Sequence, residues 1–249
     1  MNRLFAIVLA MTYVFAASSA FADCSVQSDS QVRVLVELYT SEGCSSCPPA
    51  DHWLSDLATR GDKRVVPLAF HVSYWDYIGW KDRFADARYT ERQHDIAEAQ
   101  GASMVYTPQV MIAGRDFRGW SSSGAADRAI EEIARMPATA RIAIASKAAG
   151  QDGIEGSASL QAGAARNVRL FVALTQDGLT SKVTAGENRG ETLRHHAVVR
   201  DLAVLPLGTG AFHFAPKPDW DPAHMSLVAF AQDTSTGRVL QAMSAPVCR

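Results

Sequence analysis

The spacing of apolar residues divides the chain into two regions. Up to residue 137, apolar runs alternate with segments of helical periodicity in the order β-α-β-α-β-β-α. The predicted elements of this region are residues 32–39, 50–59, 65–72, 84–100, 109–112, 116–119 and 121–135. From residue 138, short apolar or alternating runs separated by Gly, Asp and Asn predict strands alone. These strands are residues 141–146, 156–161, 168–176, 194–205, 226–231 and 239–243.

The first 22 residues have the pattern of a secretory signal. A short positive start precedes an apolar run over residues 4–17, and Ala20 and Ala22 supply the small residues that a signal peptidase needs. Cleavage before Asp23 would release the mature chain into a bacterial periplasm or an extracellular space. A retained membrane anchor is the alternative, but the apolar run is short for a span.

Composition and charge exclude some partners. The hydrophobic fraction of 47% is sufficient for a packed core. The formal net charge of −2 becomes −3 when Arg3 is removed, which leaves no basic surface excess for nucleic acid or anionic membrane. We expect no cofactor and no resident metal ion.

The chain has four cysteines, all beyond the predicted signal. Export would place them in an oxidising compartment, where disulfides persist. Cys44 and Cys47 are close enough to pair, which leaves Cys24 and Cys248 for a structural disulfide between the two ends of the mature chain. Two free thiols at frayed termini are the alternative for that second pair.

Cys44 and Cys47 stand between a buried strand and a helix that begins with two prolines. Backbone N–H groups and the macrodipole at a helix N-terminus favour the thiolate, which is the attacking species in disulfide exchange. We expect Cys44 to attack or be attacked and Cys47 to resolve the mixed disulfide. Glu42 lies close enough in sequence to move protons, although such a residue is more often solvated.

Two further segments are predicted to bind substrate. Thr107-Pro108 precedes a short strand, and a cis bond there would leave the Thr107 backbone free to pair with an extended partner. Residues 71–82 are rich in aromatic side chains, and we expect Trp75 and Tyr77 to contact a protein. Core packing of a long loop is the alternative for these aromatic residues.

Several segments resemble a bacterial secreted family known as domain of unknown function 1223. They are ELYTSEGCSSCPPAD at residues 37–51, AFHVSYWDYIGWKD at 69–82, VYTPQ at 105–109, GENRG at 186–190 and HHAVVR at 195–200. The resemblance implies a thioredoxin-like domain with an appended β-rich part, and it implies no known substrate.

The expected fold class is α/β, with a thioredoxin-like domain over residues 23–137 followed by a smaller antiparallel β-sandwich-like domain over residues 138–249. The leading functional hypothesis is an exported thiol–disulfide oxidoreductase, or redox-active protein, whose partners are protein thiols or disulfides. One alternative is a metallochaperone that holds copper(I) through Cys44, Cys47 and His71. Another is a non-catalytic binding module in which Cys44–Cys47 is a permanent link.

Overall fold

The computed structural model describes residues 24–147, 150, 153–163, 166–215 and 217–248. The predicted export signal at residues 1–22 lies outside the described residues. Of the described residues, 42% are in strands and 21% in helices. The chain is therefore mostly β.

The first half of the chain contributes five strands and three helices. The strands are β1 (Cys24–Gln27), β2 (Val34–Thr40), β3 (Val65–His71), β4 (Gln109–Ile112) and β5 (Arg115–Asp116). The helices are α1 (Pro48–Thr59), α2 (Ala87–Ala99) and α3 (Ala125–Ala134). The second helix starts three residues later than predicted because the Asp86 side chain accepts a hydrogen bond from the Arg88 N–H and caps it.

The second half contributes strands only, apart from a short 3-10 turn. They are β6 (Arg141–Ser146), β7 (Ile154–Gln161), β8 (Val168–Gln176), β9 (Leu179–Lys182), β10 (Thr192–His195), β11 (Val198–Leu205), β12 (Gly208–Phe214), β13 (Met225–Asp233) and β14 (Val239–Pro246). The single strand predicted at residues 194–205 is two strands, because Ala197 adopts a left-handed conformation with φ of 53° between them.

One mixed sheet runs through both halves. Its strand order is β14-β13-β8-β11-β3-β2-β4-β5. Strands β2 and β3 are parallel, and β11 joins the other edge of β3 through the pair Val198 and Ala69. A second sheet has the order β1-β6-β7-β12, and β9 pairs with β10 as a separate hairpin.

This topology shows that the expected fold class is wrong. The chain is not a thioredoxin-like α/β domain followed by a smaller antiparallel β-sandwich. The edge of β3 is occupied by β11, and the sheet continues into three more strands of the second half. Apolar spacing predicted most of these strands, but it carries no information about which distant strand pairs with which edge.

The core consists of three apolar layers. The first lies between the four-stranded sheet and strands β8, β13 and β14, and the second lies between α1, α3 and strands β2 and β4. The third lies under α2 and combines side chains of both halves, among them Tyr39, Phe70, Phe171 and Phe230. Both faces of the eight-stranded sheet are therefore buried over much of its width.

A disulfide joins Cys24, at the start of β1, to Cys248, which follows β14. The two residues are 224 positions apart, so the bond closes nearly the whole described chain into one loop. The predicted pairing of the two ends is confirmed.

Candidate functional site

A second disulfide, Cys44–Cys47, occupies the turn between β2 and α1. Cys47 directly precedes the first residue of α1, and its N–H donates to the Cys44 carbonyl. The Ser46 hydroxyl lies 3.3 Å from the Cys44 sulfur. Both cysteines are completely buried, with 0% of each residue exposed.

The aromatic segment after β3 lies against this turn. Trp75 donates its ring N–H to the Thr107 hydroxyl over 2.7 Å, which connects the segment to the cis peptide bond between Thr107 and Pro108. The open space beside Gly43 is small, since a Cβ placed there would lie 3.2 Å from the Cβ of Trp75. The structure therefore brings Trp75 and Thr107 together next to the disulfide turn.

Tyr77 is placed differently from Trp75. It is 83% exposed, so it belongs to neither the core nor the cover of the disulfide. Its contact with a partner stays a prediction, as does that of Pro108.

A buried acid–imidazole network lies behind the turn. Asp82 accepts a hydrogen bond from the Glu42 backbone N–H and lies 2.6 Å from the Nδ1 of His71. Glu42 lies 3.2 Å from the Nε2 of His195 and accepts a 2.9 Å hydrogen bond from the ring N–H of Trp80. The solvated position expected for Glu42 is wrong, because this residue is 0% exposed.

The surroundings of three groups in this network shift their pKa values toward the charged form, and those of a fourth group shift its pKa toward the neutral form. Burial opposes ionisation of Asp82, but the charge and hydrogen bond of His71 hold its pKa below the usual range. Burial likewise opposes ionisation of Glu42, and its hydrogen bond with His195 lowers its pKa. Burial opposes charging of His71 as well, yet the charge of Asp82 raises its pKa. Asp51 differs, since burial raises its pKa even though the charges of His195 and His71 and a hydrogen bond from Thr40 act to lower it.

Residues from the second half of the chain complete the site. The loop between β9 and β10 lies over the disulfide turn, and Glu187 accepts a hydrogen bond from the Ser45 N–H over 3.0 Å. The side-chain amide of Asn188 donates to the Glu42 carbonyl at 2.8 Å and to the Cys44 carbonyl at 3.0 Å. Sequence reasoning missed these contacts, although the GENRG segment was one of those that carried the family resemblance.

Comparison with known proteins agrees with that resemblance. The model of a family described as "Protein of unknown function (DUF1223)" matches residues 35–232. The chain belongs to this family. No curated protein matches it in sequence.

Two solved structures are similar to this DUF1223 chain. A protein from Agrobacterium tumefaciens is 27% identical, with a TM-score of 0.61 over 87% of this chain and 95% of that chain. HBP35 of Porphyromonas gingivalis is 13% identical, with a TM-score of 0.66 over 88% of this chain and 76% of that chain. At that identity, the second likeness shows a shared fold alone.

A cavity lies beside this site, between α1 and β10. Its volume is about 390 Å³, and its lining includes Asp51, His195 and His196. Within the described part of the chain, four buried atoms in this region have no hydrogen-bond partner: Asp51 Oδ1, His71 Nε2, His195 Nδ1 and His196 Nδ1. The buried network therefore retains unused capacity to bind protons or water.

The same geometry bears on metal binding and membrane insertion. Within the described ranges, no group of three or more His, Cys, Asp or Glu side chains is placed to hold a metal ion. Both cysteines of the copper hypothesis are in a disulfide, and the Nδ1 of His71 lies against Asp82. In the same part of the chain, no helix combines the length and the apolar character that a membrane crossing requires.

Proposed function

We propose that this DUF1223 protein is an exported thiol–disulfide oxidoreductase that exchanges the Cys44–Cys47 disulfide with thiols or disulfides of partner proteins. The observation that carries the proposal is the position of this disulfide at the start of α1, beside the cis Thr107–Pro108 bond and in front of a buried acid–imidazole network. Helix N-termini stabilise thiolates, and thiolates perform the exchange.

A partner that supplies a dithiol is oxidised in two exchange steps. A partner thiolate attacks the Cys44 sulfur, the Cys44–Cys47 bond breaks, and Cys47 leaves as a thiolate. The second partner thiolate then attacks its own mixed-disulfide sulfur, and Cys44 leaves. The partner is oxidised to a disulfide, the protein is reduced to a dithiol, and the two partner protons finish on Cys44 and Cys47. The reverse sequence reduces a partner disulfide.

One buried acid near the turn, Asp51, supports proton transfer during this exchange. It lies one helical turn after Cys47 along the chain, and its carboxyl accepts a hydrogen bond from the Thr40 hydroxyl over 3.1 Å. Because burial raises its pKa, Asp51 takes up a proton at a higher pH than a solvated aspartate does. We assign Asp51 the role of proton donor and acceptor for the leaving and returning thiolate.

The proposed compartment is the periplasm or the extracellular space. Two disulfides are present, and such bonds persist in oxidising compartments. The predicted signal at residues 1–22 supports the same location.

A single-turnover experiment tests the proposal. The oxidised protein is mixed with a reduced dithiol peptide, and new thiols are alkylated and located by mass spectrometry. We expect peptide oxidation to match the appearance of thiols at Cys44 and Cys47, and a Cys24→Ser/Cys248→Ser variant to behave like the wild type. Equal peptide oxidation by wild type and Cys44→Ser would refute the proposal.

Burial favours one second candidate, a permanent structural link within a binding module. Both cysteines are 0% exposed, which is the usual state of a structural disulfide. The reduction potential of Cys44–Cys47, measured on the Cys24→Ser/Cys248→Ser variant, distinguishes the two functions. A value below about −300 mV favours the structural link, and a higher value favours exchange.

A further inference from the structure

The hairpin of β9 and β10 forms an arm, residues 179–195, that reaches from the main sheet to the disulfide turn. Its two strands pair with each other and with no other described strand. The base of the arm is held in place, since Leu179 and Leu193 are buried and Arg83 donates to the Thr180 carbonyl and the Ser181 hydroxyl. The arm therefore has a fixed base, and its tip lies over the site.

The tip of the arm, residues 186–190, forms three hydrogen bonds with the disulfide turn. Asn188 supplies two of them, to the carbonyls of Glu42 and Cys44, and the exposed carboxylate of Glu187 supplies a third, to the Ser45 N–H. Asn188 is 6% exposed, so its amide is shielded from water that would compete for these carbonyls. The contact with the turn is therefore local and made by polar groups, while Gly186 at the start of the segment packs so closely on the aromatic segment that an added Cβ would lie 3.2 Å from the Cβ of Trp80.

The disulfide cannot react in this arrangement. An attacking sulfur must approach the disulfide along its S–S axis, and neither Cys44 nor Cys47 is exposed. One of the covering segments must move before a partner can reach the sulfurs. The aromatic segment is the poorer candidate, because it ends in Asp82, which is buried and bonded to His71.

We infer that residues 186–190 are a gate over the Cys44–Cys47 disulfide, and that Asn188 is the latch that determines which partners reach it. This inference rests on the proposed function and deepens it. A partner protein gains access only if it competes with Asn188 for the backbone carbonyls of the turn, as an extended segment with free N–H groups does. The gate therefore selects for partners that supply peptide backbone along with a thiol.

The test measures chemical access without any partner protein. Full-length oxidised wild type, Asn188→Ala and Asn188→Asp are treated with tris(2-carboxyethyl)phosphine, and each disulfide is followed by alkylation and mass spectrometry. Loss of two hydrogen bonds favours the open state about 10- to 30-fold. We expect reduction of Cys44–Cys47 to accelerate by that factor in both variants, while Arg189→Ala, an exposed neighbour in the same loop, stays within about twofold of wild type.

The terminal disulfide is the internal control. If Asn188→Ala accelerates reduction of Cys24–Cys248 to the same extent, the variant has loosened the whole fold and the gate is refuted. Unchanged reduction of both disulfides refutes it as well. Failure of the proposed function is a separate result: Cys44–Cys47 then opens faster in the variants, but neither wild type nor variant exchanges with the dithiol peptide.

Discussion

Arg92 forms a buried ion pair with Glu37 and also contacts residues of the second half of the chain. The Arg92 Nη2 lies 2.6 Å from Glu37 Oε1, and the residues are 6% and 0% exposed. The other guanidinium branch donates to Gln232 over 2.9 Å, and the guanidinium carbon lies 4.6 Å and 4.8 Å from the ring centroids of Phe171 and Phe230. One side chain of α2 thereby contacts β2, β8 and β13.

We predict that Arg92→Met lowers the free energy of unfolding by about 3–5 kcal/mol at pH 7. Removal of one partner of a buried pair leaves the other charge without compensation, and the loss is of that size. The double variant Arg92→Met/Glu37→Gln removes both charges, and we expect it to regain most of the loss. Guanidinium denaturation followed by circular dichroism measures all three proteins in the oxidised form.

A control variant makes this prediction specific. Arg88 is on the same helix, but it is half exposed in its pairs with Asp86 and Asp201, so Arg88→Met should cost no more than about 1 kcal/mol. Equal losses in the two methionine variants would show that the buried pair has no such role.

Three further predictions concern stability. A Cys24→Ser/Cys248→Ser variant should lose about 2–4 kcal/mol, because the loop-entropy estimate of about 5 kcal/mol for so long a loop is an upper guide; an unchanged denaturation midpoint would contradict it. Asp51→Asn should stabilise the protein at pH 7. The pKa of this buried acid is raised in the folded state, so the wild type loses stability as the pH rises above the pKa of the unfolded state. The gain in stability should therefore vanish below about pH 3.8, and a gain that does not depend on pH would exclude this cause. Gly114→Ala should cost several kcal/mol more than Gly61→Ala: both have φ near +70°, but only at Gly114 would the added Cβ collide with a backbone carbonyl, so equal melting temperatures would oppose this packing argument.

The local features of the site could be predicted from the sequence because neighbouring residues create them. Val34–Thr40 is a mostly apolar run of the kind that a buried strand favours, and within a helix the prolines after Cys47 suit only the first turn. The position of Cys44 and Cys47 between these elements follows from chain order. The cysteine pairing could be predicted as well. Cys44 and Cys47 are close in sequence and pair with each other, which leaves Cys24 and Cys248 to pair between the two ends.

The partners of these elements depended on the tertiary structure. Strand β11 joins β3 across more than a hundred residues, and nothing in the apolar spacing of either strand specifies that edge. Glutamate is usually a surface residue, yet Glu42 is buried and its carboxylate contacts Trp80 and His195. Asn188 is one polar residue of a turn until the hairpin places it over Cys44.

The sequence by itself thus determined the three helices, most of the strands, and the position of Cys44 and Cys47 between a strand and a helix. It did not indicate β1, β9 or β12, and it left two free thiols as an alternative to the Cys24–Cys248 disulfide. Only the tertiary structure decided that the two halves share one sheet, that the disulfide is closed to solvent, and that residues from the second half cover it. The physical reason is range: propensity, capping and apolar period act over a few residues, whereas sheet edges, burial of charge and access to a sulfur depend on segments that meet only after folding.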